Sequence, residues 1–281
     1  MPLGKAAKYG YLSARCRTIR SQLIDSETMR SLTASRSIGE LSSALSTTLY
    51  APYITTVSSE GIHQGLTEAF EHQRSKIIRE LGKREKAVFE LFFVTKYTLV
   101  DEKTEQVHAP NPEEAFRRID RDYIKQLKKS LLGLPSAEQR QLKKILGSYF
   151  DLLNLYNLVK FRLIYRQSVE ETLAYMLPYA ERFKLEELAK LCDVGTIEQL
   201  SRKVEPVLGE GFKDYESFRK VLYRYHREQL MSVWSGYPFS IALPFSLLRL
   251  IEIEIADLRA ITEGVAFGLE NREIAAMTVG S

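Results

Sequence analysis

Asp151, Asn154, Leu158 and Arg162 follow one another at spacings of three, four and four, so a carboxylate, an amide and a guanidinium share one stripe of a helix. Their neighbours Leu152, Leu153, Val159, Phe161, Leu163 and Ile164 make that helix apolar nearly all round, the pattern of a buried helix. A carboxylate and an amide inside a core can serve a ligand, or they can bond neighbouring helices. Buried polar groups are costly unless satisfied, so the stripe points to helix register more than to a ligand site. A second stripe in the last long helix repeats the theme. Arg249, Glu252, Ala256 and Arg259 lie on one face, Glu254, Leu258 and Thr262 on another, and Gly264 and Gly268 permit a close helix approach.

Other constellations carry less. The four histidines, His63, His72, His108 and His226, have no second histidine or cysteine at metal-ligand spacing. Gly82, Lys83 and Arg84 lack the upstream glycine and the Ser/Thr of a phosphate loop, and no dinucleotide fingerprint is present. Nothing proposes a nucleophile and its base, so no catalytic residue, cofactor or metal is expected. Cys16 and Cys192 are too few for a disulfide framework and sit in helical patterns, which favours free thiols in a reducing compartment.

Forty basic residues face 36 acidic ones, a net charge of +4 that demands no polyanionic partner. The basic runs at Lys83–Lys86, Lys125–Lys129 and Arg140–Lys144 have Glu80, Asp122 and Glu138 beside them, as solvated helix faces do. Nucleic acid is therefore not the favoured partner. The N-terminus lacks the order of a signal peptide. The most apolar stretch, Phe239–Ile255, is interrupted by Pro244, Arg249, Glu252 and Glu254, so no membrane span is expected.

The elements that position these residues are helical throughout. Helices are predicted from Tyr9 to about Ile24, near Thr28–Ser35 and over Ile38–Leu49. Apolar spacing from Glu60 to Val100 predicts one long helix or two stacked ones. A break at His108 to Pro112 leads into a helix with Asn111 as cap and Pro112 first, reaching Leu132. Ser136 and Gln139 predict a capping box for a helix that continues to Tyr165. Shorter helices follow near Val169–Leu177, Leu185–Leu191 and from Ile197. Asp214 caps a helix to Val233, and the last runs to about Leu269. Ala51–Ser58 is the only plausible extended piece.

A unit appears twice. Met29, Leu32, Ile38, Leu41 and Leu45 are echoed by Leu188, Leu191, Ile197, Leu200 and Val204, each 159 positions later (29 to 188, 45 to 204). Ser37 with Glu40 and Thr196 with Gln199 form a capping box in each copy. Capped amphipathic helices can look alike by chance, but the shared order of a long helix followed by capped short ones favours duplication.

Three stretches resemble the C subunit (subunit d in eukaryotes) of V-type and A-type rotary ATPases. They are Tyr9, Tyr11, Ala14, Arg15 and Arg17 at the start; Phe150 with Asp151-x-x-Asn154-Leu155; and Glu252, Glu254, Asp257, Leu258 and Arg259 followed by Phe267, Gly268 and Leu269. The resemblance implies an all-α fold of three related helical-bundle repeats arranged as a funnel, at 1–85, 86–148 and 149–281. The middle repeat is degenerate, because its remnant Lys96–Asp101 lacks the asparagine. It also implies a non-catalytic part of an ion- or proton-transporting motor, peripheral to the membrane on the cytoplasmic side. The partners implied are the central-shaft subunits (D/F type) and the membrane rotor ring. Tyr11, Arg15, Arg17, Asp151, Asn154, Arg162, Glu252, Glu254 and Arg259 are its motif positions, with structural or interface roles. The residues alone leave a general all-α interaction scaffold open, one that could bind RNA through Lys125–Lys144 and would then lose binding steeply with salt.

Overall fold

The computed structural model describes residues 3–107 and 110–279, and among them helices are the only regular secondary structure. His108 and Ala109, in the predicted break, lie outside the described residues. The chain forms two compact units, one of Met1–Glu80 with Leu230–Ser281 and one of Leu81–Gln229.

In the first unit, α13 (Ala242–Ala266) is the axis. Every residue from Ala242 to Ile255 is buried, which fits a helix apolar on all sides. Pro244 is accommodated because it sits in the first turn, where the backbone N–H has no intrahelical acceptor. Around α13 pack α1 (Leu3–Arg20), α2 (Ser26–Thr33), α3 (Ile38–Leu45), α4 (Ser59–Arg79) and α14 (Asn271–Met277). The sequence pattern runs α13 and its continuation together to Leu269. In the structure Gly268, at φ 67°, turns the chain, and α14 follows. Gly264 lets α14 come close: a Cβ there would lie 2.6 Å from Cγ1 of Ile274.

The predicted extended piece is instead a 3-10 turn at Ala51–Tyr53, closed by Tyr53 N–H donating to the Tyr50 carbonyl at 3.0 Å. Pro52 has the φ of a helical turn built in, and among the described residues no strand is present to pair with.

The second unit holds α5 (Lys83–Glu90), α6 (Lys96–Glu105), α7 (Pro112–Leu132), α8 (Ser136–Leu158), α9 (Val169–Ala174), α10 (Leu185–Leu191) and α11 (Ile197–Leu208). It also holds α12 (Tyr215–Ser232) as far as Gln229. The pattern from Glu60 to Val100 is thus three helices. Gly82 caps α5, and a π-helical stretch at Leu91–Thr95 separates α5 from α6. The wider π turn lets the consecutive Phe92 and Phe93 both point inward, each fully buried. A second π stretch, Val159–Ile164, ends α8 before Tyr165.

Asn111 and Asp214 cap as predicted. Ser136 does not, because Pro135 takes the cap position and Ser136 is already helical. Gln139 turns back to the carbonyls of Leu132 and Leu134 instead.

The helix starts of the repeated unit follow the same offset. α2–α3 and α10–α11 begin at Ser26 and Ile38, Leu185 and Ile197, at the offset read from sequence. Met29, Leu32, Leu41 and Leu45 are buried, as are Leu188, Leu191, Leu200 and Val204, while Ile38 and Ile197 are both half-buried. The caps share a variation. Ser37 and Thr196 accept from the amides of Glu40 and Gln199, but the carboxylate of Glu40 and the amide oxygen of Gln199 accept from one residue before the cap, Arg36 and Gly195, at 2.8 Å each.

Candidate functional site

Asp151 and Asn154 lie on α8 with no exposed surface. Both point at the segment 177–183, which leads into α10. Asp151 Oδ1 accepts from the amides of Glu181 and Phe183 at 3.1 Å each, and Oδ2 accepts from Arg182 at 3.0 Å and from the Tyr225 hydroxyl at 3.2 Å. Burial raises the Asp151 pKa above the usual carboxylate value, and the amides and the tyrosine offset part of that rise. Tyr225 is raised too, by burial first and then by the Asp151 charge.

Asn154 accepts from the Leu177 amide at 2.7 Å and donates to the carbonyls of Leu177 and Tyr179 at 3.1 and 3.4 Å. One turn earlier, Gly147 lets the segment sit against α8, since a Cβ there would lie 2.6 Å from Cβ of Glu181. The stripe therefore binds backbone that helices and loops leave unpaired. Arg162, in the π stretch, continues the same work: Nε donates to the Cys192 carbonyl at 2.7 Å and Nη1 to the Gln167 carbonyl at 2.8 Å.

The first unit carries a counterpart. Glu254 on α13 accepts from the Ile24 amide at 2.8 Å and from the Tyr50 hydroxyl at 2.7 Å. Ile24 and Phe183 correspond under the repeat offset, so the two acids hold equivalent amides just before equivalent helices. Burial, and then the Glu254 charge, raises the Tyr50 pKa well above its usual value. Three residues after Glu254, Asp257 accepts from the Val279 amide at 2.7 Å. Sequence reasoning missed this anchor. Its signal was present: Glu254-x-x-Asp257-Leu258 has the same layout as Asp151-x-x-Asn154-Leu155.

The other motif positions divide by exposure. Glu252 forms a buried ion pair with Arg249 at 2.9 Å. Arg259 is exposed and donates to the Thr67 hydroxyl at 2.7 Å. Tyr11 is 67% exposed on α1. Arg15 is half-buried, and Arg17 is exposed with Nη2 donating to the Trp234 carbonyl at 3.3 Å. Within the second unit Asp151, Asn154 and Arg162 are internal anchors; within the first, Glu254 is an anchor, Glu252 is paired internally, and Tyr11, Arg15, Arg17 and Arg259 are exposed or half-buried.

Elsewhere, Cys16 is fully buried on α1, and burial pushes its thiol pKa up to about 12, which makes it an inert packing group. His226 is buried against the Ser148 hydroxyl at 2.9 Å. Among the described residues no group of three or more His, Cys, Asp or Glu could hold a metal ion, and no helix is long and apolar enough to cross a membrane.

A family model described as ATP synthase (C/AC39) subunit matches residues 95–277. The matched range contains both anchor helices, α8 and α13, but not α1. No curated protein matches the chain.

Proposed function

The chain belongs to the ATP synthase (C/AC39) subunit family, and from that premise we propose that it is the non-catalytic rotor adaptor of a V/A-type ATPase. In this reading it is a socket that joins the central shaft to the membrane rotor ring and passes torque between them during ion transport. The observation that carries it is the use made of the motif carboxylates. Asp151 and Glu254 have their oxygens occupied by backbone amides and tyrosine hydroxyls of their own unit. Such groups stiffen a helix against its neighbours, and torque transmission depends on stiffness rather than on a reactive pocket.

A funnel of related helical repeats, with its base on the cytoplasmic face of the ring, is the arrangement this role calls for. The exposed motif residues Tyr11, Arg17 and Arg259 are the contact candidates, as polar rim groups that set orientation.

The test is direct binding of the purified protein to the shaft subunits and to detergent-solubilised ring. Capture by both supports the adaptor; binding to neither overturns it. Arg15→Glu and Arg17→Glu sharpen the result. Weakened capture at an unchanged melting temperature makes these arginines interface groups. A lowered melting temperature with unchanged capture makes them internal braces of α1.

A further inference from the structure

The basic runs of α7 and α8, which the adaptor role leaves unused, converge on a groove of about 600 Å³ in the second unit. Lys128 from α7, Lys143 from α8 and Lys184 before α10 line it, with Glu181 as the one acid among the lining residues. Between the lysines the lining is apolar, and Leu132 and Leu185 stand 68% and 58% exposed. Lys128 is tied to the Pro178 carbonyl, whereas Lys143 and Lys184 have no partner among the described residues.

The duplicated segment of the first unit shows that the fold does not require this character. A groove of about 520 Å³ lies there, lined by Ser21, Gln22, Ile24 and Asp25 where the second unit has Ala180, Glu181, Phe183 and Lys184. Its lining is mixed, with Thr28, Thr47 and Thr48 beside Leu23, Leu49 and Pro52, and it contains no lysine. Asp25 also caps α2, accepting from Thr28 at 2.7 Å. Lys184, at the matching position, makes no side-chain cap, and the first turn of α10 carries Glu186 and Glu187 instead. Lys184 is thus spent on no cap and stands exposed at the groove edge, available to an anionic occupant.

We propose that this groove docks an amphipathic helix of another protein, one that lays leucine-like side chains between the lysines and presents acidic residues to Lys143 and Lys184. Helix-in-groove recognition needs an apolar floor with charged edges of the complementary sign, and both are here. RNA is less suited, because the two aromatic rings of the lining are already engaged: Phe183 is only 4% exposed, and the half-buried Tyr179 packs on Phe150 with Lys128 over its ring, which leaves bases little open face to stack on.

The test uses the full chain and two synthetic, end-blocked helical peptides with leucines at i, i+3, i+4 and i+7. One carries glutamates on the flanking positions, the other lysines. Fluorescence anisotropy of the labelled glutamate peptide should report saturable binding, with the lysine peptide weaker by about tenfold or more. The paired change Lys143→Glu and Lys184→Glu should weaken the glutamate peptide by a similar factor, and Leu132→Ser with Leu185→Ser should do the same. All four positions are exposed, so circular dichroism should stay unchanged.

No binding up to the solubility limit of the peptide overturns the proposal. So does equal affinity for both peptides, or indifference to the lysine pair. Phosphatidylglycerol vesicles and poly-uridine RNA form the remaining arms, and preferential, lysine-dependent retention by either of them overturns it as well. The inference does not rest on the adaptor reading, since capture by shaft and ring is measured separately.

Discussion

The two anchors solve one problem from opposite directions along the chain. In the second unit, α8 precedes the helix pair it holds, and Asp151 reaches forward to Glu181, Arg182 and Phe183. In the first unit, α13 comes long after the pair it holds, and Glu254 reaches back 230 residues to Ile24. A hydrogen bond depends on position in space, so the same amide can be satisfied by an acid from either side in sequence. The consequence is that both ends of the chain belong to one unit, while the second unit is a continuous stretch.

The anchors also differ in degree. The short side chain of Asp151 is shared among three successive amides. Glu254, one methylene longer, takes one amide and a tighter tyrosine contact. Asp151 therefore leans on backbone capture, while Glu254 combines one amide with a short tyrosine contact.

That contrast can be broken by experiment. The largest effect should come from Asp151→Ala, which strands three amides and the Tyr225 hydroxyl and should cost about 3–5 kcal/mol in urea unfolding. Glu254→Ala should cost about 2–4 kcal/mol. An equal or reversed order would show that the amide triplet is not the main support. The tyrosines should rank the other way. Tyr50→Phe, which breaks the 2.7 Å contact of a fully buried hydroxyl, should cost about 1.5–3 kcal/mol, and Tyr225→Phe, at 3.2 Å, about 1 kcal/mol.

A pH series separates the Asp151 carboxylate further. Burial raises its folded pKa above the ordinary aspartate value, so the folded state holds the proton more tightly than the unfolded state. The contribution of this group is full below pH 3.8 and is lost as pH rises through the raised folded value. Asp151→Asn should remove that fall from the stability profile. A profile of unchanged shape would mean that the carboxylate titrates as it does in the unfolded chain. The smallest effects belong to the matched caps. Ser37→Ala and Thr196→Ala should each cost about 1 kcal/mol, and equally, because their geometries agree. A large inequality would show that the copies no longer carry equivalent local loads.

Local physics made much of this legible. Asn111, Pro112 and Asp214 mark helix starts through their own side-chain chemistry, and the apolar spacing of Leu41, Leu45, Leu200 and Val204 marks the buried faces. Where a local signal competed with a stronger neighbour, the reading failed. Pro135 displaced Ser136 from its cap, and the wish of both Phe92 and Phe93 to be buried opened a π turn that periodicity does not foresee. The α14 helix was hidden because the helical pattern runs past Gly268, whose left-handed conformation ends α13 without a proline or a polar break.

Of the site, sequence by itself determined the all-α class, the duplicated helix pair and the buried polar stripe of α8, because each depends on residues within a few turns of one another. Only the tertiary structure decided which amides Asp151 and Glu254 hold, that Asp257 is an anchor, and that Lys143 and Lys184 share a groove. Those facts depend on contacts between residues distant in the chain, and no local spacing encodes which distant backbone a buried carboxylate will meet.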